Sequence, residues 1–177
     1  MPSPIGHMLS GLAIVAAHKK GVLRGDRETL LVLVCVVLPD IDFIFGFIEG
    51  NPNAYHHQFT HSFFFAVAAG FLLGVVSMRS CRHFLRPALL FTFAIALHIV
   101  LDLFAVDKSA PYGAQIFWPF SDDYFIAPIQ IFSDVVRSSD SATFIFSLFN
   151  RHNLGTIIIE TVIMLLVILF IKRLERK

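Results

Sequence analysis

Pro39-Asp40-Ile41-Asp42 constrains this chain more than any other stretch. It sits inside Leu30–Ile48, nineteen residues that are otherwise almost wholly apolar. A run of that length and composition reads as a membrane helix. Two carboxylates near its middle are costly to insert unless something pairs with them. Pro39 removes one helix hydrogen bond and pushes Leu38 away from helical angles. Irregular backbone at membrane depth persists only where it is buried in protein or lines a cavity. The segment is therefore expected to face a polar pocket, and the rest of the chain has to supply that pocket.

The composition agrees with a membrane setting: 56% of the 177 residues are hydrophobic and 15% charged, against roughly 25% charged in soluble domains. The expected fold class is all-α, a polytopic membrane helix bundle forming a single membrane-embedded domain over residues 1–177. No face or tail gathers a basic stripe, so nucleic acid is not an expected partner. Cys35 lies in a span and Cys81 in a basic loop, which argues against a disulfide between them. Met1–Ala17 is apolar but its lysines, Lys19 and Lys20, follow it; that is not the order of a cleaved signal peptide, and the segment is expected to be retained.

Five membrane segments can be placed. They are Ile5–Ala17 (starting after Ser3-Pro4), Leu30–Ile48, Ser62–Met78 with Thr60 as its expected N-cap, Pro87–Val106, and Leu154–Ile171. The first covers only about 20 Å of a hydrocarbon core about 30 Å thick, so it either spans with snorkelling ends or is re-entrant. Residues 107–153 form a long region rich in Phe, Ser and Asp, expected to lie on the outer face as a lid. Amphipathic interfacial helices are expected at Phe125–Val136 and Ala142–Phe149. Placing Lys19, Lys20, Arg24 and Arg27, the loop Arg79–Arg86 and the C-terminal tail in the cytoplasm puts eleven of the fourteen Lys and Arg inside, leaving Lys108, Arg137 and Arg151 outside. The positive-inside rule then orients the chain with its N-terminus out and its C-terminus in the cytoplasm. Trp118, Tyr112 and Tyr124 suit an interfacial aromatic belt.

In that topology the unusual polar residues share a layer. His7 sits near the outer end of the first segment, and His56, His57 and His61 at the outer mouth of the third. Asp40 and Asp42 lie about 15–18 Å from the inner ends, and His98 and Asp102 about 16–22 Å. His98 and Asp102 are spaced i, i+4 and project from one helical face, as do His57 and His61 if that helix starts early. Imidazole and carboxylate together ligate Zn, Mn and Fe, and this set exceeds the four positions of a tetrahedral zinc site. One or two divalent ions are therefore expected, Zn or Mn, with His7, Asp40, Asp42, His56, His61, His98 and Asp102 as candidate ligands. Taken singly, each has a plainer reading: His98 and Asp102 as a buried hydrogen-bonded pair, Asp40 and Asp42 as a proton relay, the mouth histidines as solvated caps. His18, His83 and His152 fall outside the layer and read as surface histidines. Glu160 reads either as a partner behind the ligands or as a helix-packing hydrogen bond.

The same residues carry a resemblance. An early His before a small-residue helix (His7-Met8-Leu9-Ser10-Gly11) precedes Leu-Pro-Asp-x-Asp (Leu38–Asp42) and then His56-His57-Gln58-Phe59-Thr60-His61-Ser62. His-x-x-x-Asp (His98–Asp102), Gly113 and Trp118-Pro119-Phe120 follow in order. Over about Ser3 to Tyr124 this resembles the bacterial inner-membrane metal-dependent hydrolase family with LexA-regulated members. One departure is His57, which stands where that family usually has Arg. The resemblance implies a metal-dependent hydrolase in the inner membrane.

The expected activity is hydrolysis of an amphiphilic small molecule, a phosphoester-bearing membrane lipid being one class, by a metal-activated water in the outer half of the bilayer. Asp42, Asp102 and His57 are the candidate catalytic groups. Trp118, Phe120 and Tyr124 are the candidate substrate contacts, with Asp122 or Asp123 at the mouth. Two other classes compete: a metal-ion or proton transporter, and a regulator or assembly factor whose metal is structural.

Overall fold

A computed structural model describes residues 1–18, 27–77, 84–108 and 110–175. Lys19, Lys20, Arg24, Arg79, Cys81, Arg82 and His83 lie outside the described residues. The described chain is helical: α1 (Pro4–His18), α2 (Arg27–Cys35), a 3-10 turn (Leu38–Ile41), α3 (Asp42–Ile48), a second 3-10 turn (Phe59–His61), α4 (Phe63–Val76), α5 (Leu85–Leu103), α6 (Phe144–Ser147) and α7 (Arg151–Leu174).

Each of the five expected membrane segments contains helix, with Met78 at the end of the third lying outside the described residues, and they differ in reach. The helices α5 and α7 are long and apolar enough to cross a membrane alone, and α2 with α3 makes a third candidate span bent by 64°. At 15 and 14 residues, α1 and α4 extend only about 21–23 Å. The bend falls at Pro39, as its chemistry requires. Asp40 N donates to Val37 O instead of continuing the α-helical ladder, so the helix tightens to a 3-10 turn before α3 begins.

Several ends are set by local capping. Ser3 Oγ accepts from Gly6 N at 3.1 Å with Pro4 at the first helical position, which starts α1. Asn150 caps α7 through Asn153 N at 2.9 Å. The cap of α4 is Ser62, which accepts from Phe65 N at 3.0 Å, and not Thr60 as expected. The Thr60 hydroxyl is committed elsewhere, donating to Asp42 Oδ2 at 3.0 Å.

The interior is built from α2, α4 and α5, with Val32, Val36, Ala66, Phe91, Ala94, Ile95 and Ile99 fully or almost fully buried. Gly70 and Gly74 bring α4 close against α5. A Cβ on Gly70 would lie 2.5 Å from Thr92 N, and one on Gly74 would lie 2.5 Å from the Ala88 Cβ. Such small-residue contacts are how helices pack where lipid supplies no hydrophobic drive. The outward face of α7 is apolar throughout, with Ile158, Val162, Leu166, Leu169 and Phe170 all exposed.

The expected interfacial helix at Phe125–Val136 does not form. Pro128 and the β-branched Ile126, Ile129 and Ile131 disfavour it, and the open carbonyls at the end of α5 give the segment a better use. Ala127 N donates to Leu103 O, and both Ile131 N and Phe132 N donate to Phe104 O. The segment runs extended, bridged to Ala105 through Phe132 and to Ala114 through Phe125. The second expected helix, Ala142–Phe149, shortens to α6.

Candidate metal centre

Helix directions bring the unusual residues to one end of the bundle. His7 is in the first turn of α1, His61 just precedes α4, His98 and Asp102 close α5, and Asp40 and Asp42 sit at the break after α2. At the opposite end His18 meets Glu28 at 3.5 Å and Arg86 at 2.9 Å. His152 is a surface residue pairing with Asp134 at 3.2 Å.

At the middle of the cluster four donor atoms converge. His98 Nε2 is 3.2 Å from His61 Nε2, 3.0 Å from Asp102 Oδ2 and 3.7 Å from Asp40 Oδ1. His61 Nε2 is 3.3 Å from Asp102 Oδ2 and 3.9 Å from Asp40 Oδ1. His7 adds its Nε2 at 3.3 Å from Asp102 Oδ1, and its ring stacks on His98 with centroids 3.8 Å apart. His57 Nε2 lies 3.9 Å from Asp102 Oδ2. Asp102 is thus faced by four histidines.

Two neighbours set which ring nitrogens point inward. His98 Nδ1 lies 2.7 Å from Val36 O; a carbonyl only accepts, so Nδ1 carries the proton and Nε2 is left as a bare donor atom. Asp42, fully buried, holds His56 Nδ1 at 3.1 Å, His61 Nδ1 at 3.1 Å and the Thr60 hydroxyl at 3.0 Å. Carboxylates and carbonyls placed behind imidazoles in this way fix the tautomer that a metal needs. His56 Nε2 faces the Met1 thioether at 2.7 Å.

Does this donor set fit a divalent ion? Buried polar groups normally find hydrogen-bond partners. Among the described residues, the buried side-chain atoms that make no hydrogen bond are His7 Nδ1 and Nε2, Asp40 Oδ1, His57 Nε2, both Asp102 oxygens and Thr92 Oγ1. All except the Thr92 hydroxyl belong to this cluster. His7 Nε2, Asp40 Oδ1 and the Asp102 oxygens lie within ion-pair distance of neighbouring cluster groups without being aligned as hydrogen bonds, while His61 Nε2 and His98 Nε2 face each other at 3.2 Å. Donors about 3.3 Å apart are what bonds of 2.0–2.2 Å to one tetrahedral ion produce. Within 4.8 Å of one another lie the donor atoms of four sets: His7, His98 and Asp102; Asp40, His61 and His98; His56, His57 and His61; Asp40, Asp42 and His56. The cluster can hold a metal ion.

The electrostatics of the connecting segment fit the same picture. Burial holds His57 well below the ordinary imidazole value, aided by His56 and His61, and burial with the charge of Arg137 lowers His56 to about 4. Both rings stay neutral, the form that ligates. Burial also opposes charge on His61, but the neighbouring carboxylates of Asp102 and Asp42 outweigh this and raise it to about 10. Positive charge is favoured at the point where His61 meets the two carboxylates.

Beside the cluster opens a cavity of about 600 Å³ whose lining includes His56, His57, Asp107, Lys108, Tyr124 and Arg137. Of the expected substrate contacts, Tyr124 lines it and Trp118 and Phe120 do not. Trp118 packs against Phe59 and Phe64, at 5.8 and 6.2 Å between centroids. Phe120 lies against Phe64 and is 85% exposed. Asp122 and Asp123 lie in the loop that follows, with Asp122 O accepting from Gln115 and Asp123 Oδ2 from Ser121. His57 enters the cavity wall from a left-handed backbone conformation, φ +68°, which a residue with a Cβ adopts at a cost. Glu160 is not among the converging donors. Its carboxylate accepts from Ser3 N at 2.9 Å and from the Ser3 hydroxyl, joining α7 to the start of α1 four residues before His7. Sequence reasoning gave Arg137 no part in the site beyond an outer charge; the only signal was a cation following Val135-Val136 in an apolar stretch.

No solved structure matches the chain. The inner membrane protein YbcI of Escherichia coli (strain K12) is 33% identical over 135 residues, which cover 74% of this chain and 75% of that relative. The sequence pattern of one family matches residues 1–176, and the chain belongs to it: the YdjM inner membrane protein family.

Proposed function

We propose that this protein is a membrane-embedded, metal-dependent hydrolase. The observation that carries the reading is the convergence of buried His and Asp donors, several of them with no hydrogen-bond partner, beside an open cavity. His61, His98, Asp40 and Asp102 would hold one ion, of zinc or manganese character by their mixed N and O donors. His7 and the far oxygen of Asp102 would hold a second. Such a metal supplies a water of lowered pKa and polarises the bond under attack. The chain's own groups do the rest. Asp42 and Val36 O fix the imidazole tautomers, and His57, which lines the cavity and whose Nε2 makes no hydrogen bond 3.9 Å from Asp102, is placed to pass a proton to or from a bound group. Asp42 has its oxygens committed to two rings and a hydroxyl, so it orients ligands in place of taking the proton.

The substrate of this reading is an amphiphile, because the cavity opens at an end of a bundle whose sides are apolar. With Arg27, Arg86, Lys172 and Arg173 at the other end of the helices, the positive-inside rule puts the cavity on the outer side of the inner membrane. Transport is supported less well: Phe91, Ile95 and Ile99 fill the bundle around the His98 helix, where an ion path needs polar groups.

The test is metal content of the detergent-purified protein, followed by hydrolysis assays on phospholipids and lipid phosphates. One to two equivalents of Zn or Mn with metal-dependent release of a product is the expected result. Absence of bound metal after reconstitution with either ion overturns the reading.

A further inference from the structure

Arg137 is mounted for a purpose that the metal cluster does not use. Its Nε donates to Asn53 Oδ1 at 2.7 Å, and Asn53 is itself held by its Nδ2 bonding to Ser139 Oγ at 3.0 Å. The guanidinium lies over the Phe43 ring, 5.2 Å from its centroid, and Phe43 stacks on His56 at 4.3 Å. A chain of three packed groups therefore ties this cation to the histidine cluster. Arg137 lines the cavity, and no carboxylate among the described residues comes within ion-pair distance of it. Lys108, a second cation of the cavity wall, is by contrast paired with Asp134 at 2.9 Å.

A rigidly held guanidinium with its outer N–H groups uncommitted is the group best shaped to grip a tetrahedral oxyanion through two parallel hydrogen bonds. Resting on the hydrolase reading above, we infer that Arg137 is the phosphate anchor of this site. It binds the phosphate group of an ester whose scissile bond lies toward the His57 wall. The ester is either a lipid headgroup or a water-soluble phosphate, and both present the same oxygens to the guanidinium.

The experiment measures metal content and phosphate binding side by side in metal-loaded wild type, Arg137→Gln and Arg137→Lys. Inorganic phosphate and phosphatidic acid in mixed micelles serve as the two probes. Arg137→Gln is expected to keep its metal and to weaken phosphate binding at least tenfold, and Arg137→Lys to weaken it less, since a point charge remains but the fork is lost. Binding of phosphatidic acid alone assigns a lipid headgroup, and binding of inorganic phosphate assigns a soluble ester; either supports the anchor. Unchanged phosphate affinity in Arg137→Gln overturns the inference and leaves the hydrolase reading standing. Loss of metal in Arg137→Gln shows a structural role and also overturns it. If wild type takes up no metal, both fall. Should Arg137→Gln fail to fold, phenylglyoxal labelling of wild type decides: phosphate protects Arg137 if it is the anchor, and an unaltered labelling rate rejects it.

Discussion

The Nδ1 of His98 lies 2.7 Å from the carbonyl oxygen of Val36, sixty-two residues earlier in the chain. That carbonyl is available because Asp40 N, its natural helical partner, bonds to Val37 O. The break at Pro39 thus does two jobs: it delivers Asp40 and Asp42, and it exposes the acceptor that turns His98 Nε2 inward.

His98→Ala removes one of the converging nitrogens and leaves the α5 backbone untouched. The variant is expected to lose its bound metal to background by elemental analysis, with helix content by circular dichroism unchanged. Retention of stoichiometric metal would remove His98 from the centre.

Asp42→Asn presents one acceptor to two ring N–H groups that now compete for it. Metal affinity is expected to fall about 10–100-fold, the usual cost of losing a carboxylate behind the ligands. Titration with a competing chelator measures it, and an effect as complete as that of His98→Ala would instead make Asp42 a direct ligand.

Glu160→Ala strands the Ser3 N–H and hydroxyl in a buried place, at a cost of about 1–3 kcal/mol. Thermal unfolding in detergent should show this loss, whereas His7→Ala, a few residues along α1, should lower metal affinity and leave the metal-free protein as stable as before. Equal destabilisation by both would mean that His7 serves packing.

The same substitution should have opposite signs at two glycines. Gly74→Ala drives a Cβ to within 2.5 Å of the Ala88 Cβ, and overpacking of this kind costs about 1–3 kcal/mol. Gly155→Ala meets nothing within 4 Å on α7 and is expected to stabilise by about 0.5–1 kcal/mol through helix propensity. Unfolding temperatures of the two variants provide the check.

Much of this arrangement is legible in the sequence because apolar runs report helices and misplaced charges report sites. Asp40, Asp42, His98 and Asp102 stand out where a lipid-facing residue should be, and their depth along each span puts them in one layer. What pairs with what is not legible. Whether Asp42 ligates or orients depends on ring directions that only the fold sets. Phe125–Val136 looks helical by composition, but its backbone is claimed by the open end of α5, a tertiary partner that no local pattern announces. Trp118 and Phe120 read as substrate contacts because aromatic residues suit both a pocket wall and a lipid interface, and α4 takes them for the second use. Arg137 escaped notice because a lone cation carries no periodicity.

The donors around Asp102 come from α1, the bend after α2, the turn before α4 and the end of α5. The first, His7, and the last, Asp102, are separated by most of the first hundred residues of synthesis. His56, His57 and His61 are close in sequence, but the set around Asp102 is complete only when all four of these segments have met. Metal uptake therefore reads out the meeting of these four segments: a chain in which any one of them is stalled or misthreaded in the membrane would lack the full donor set however well its individual helices formed.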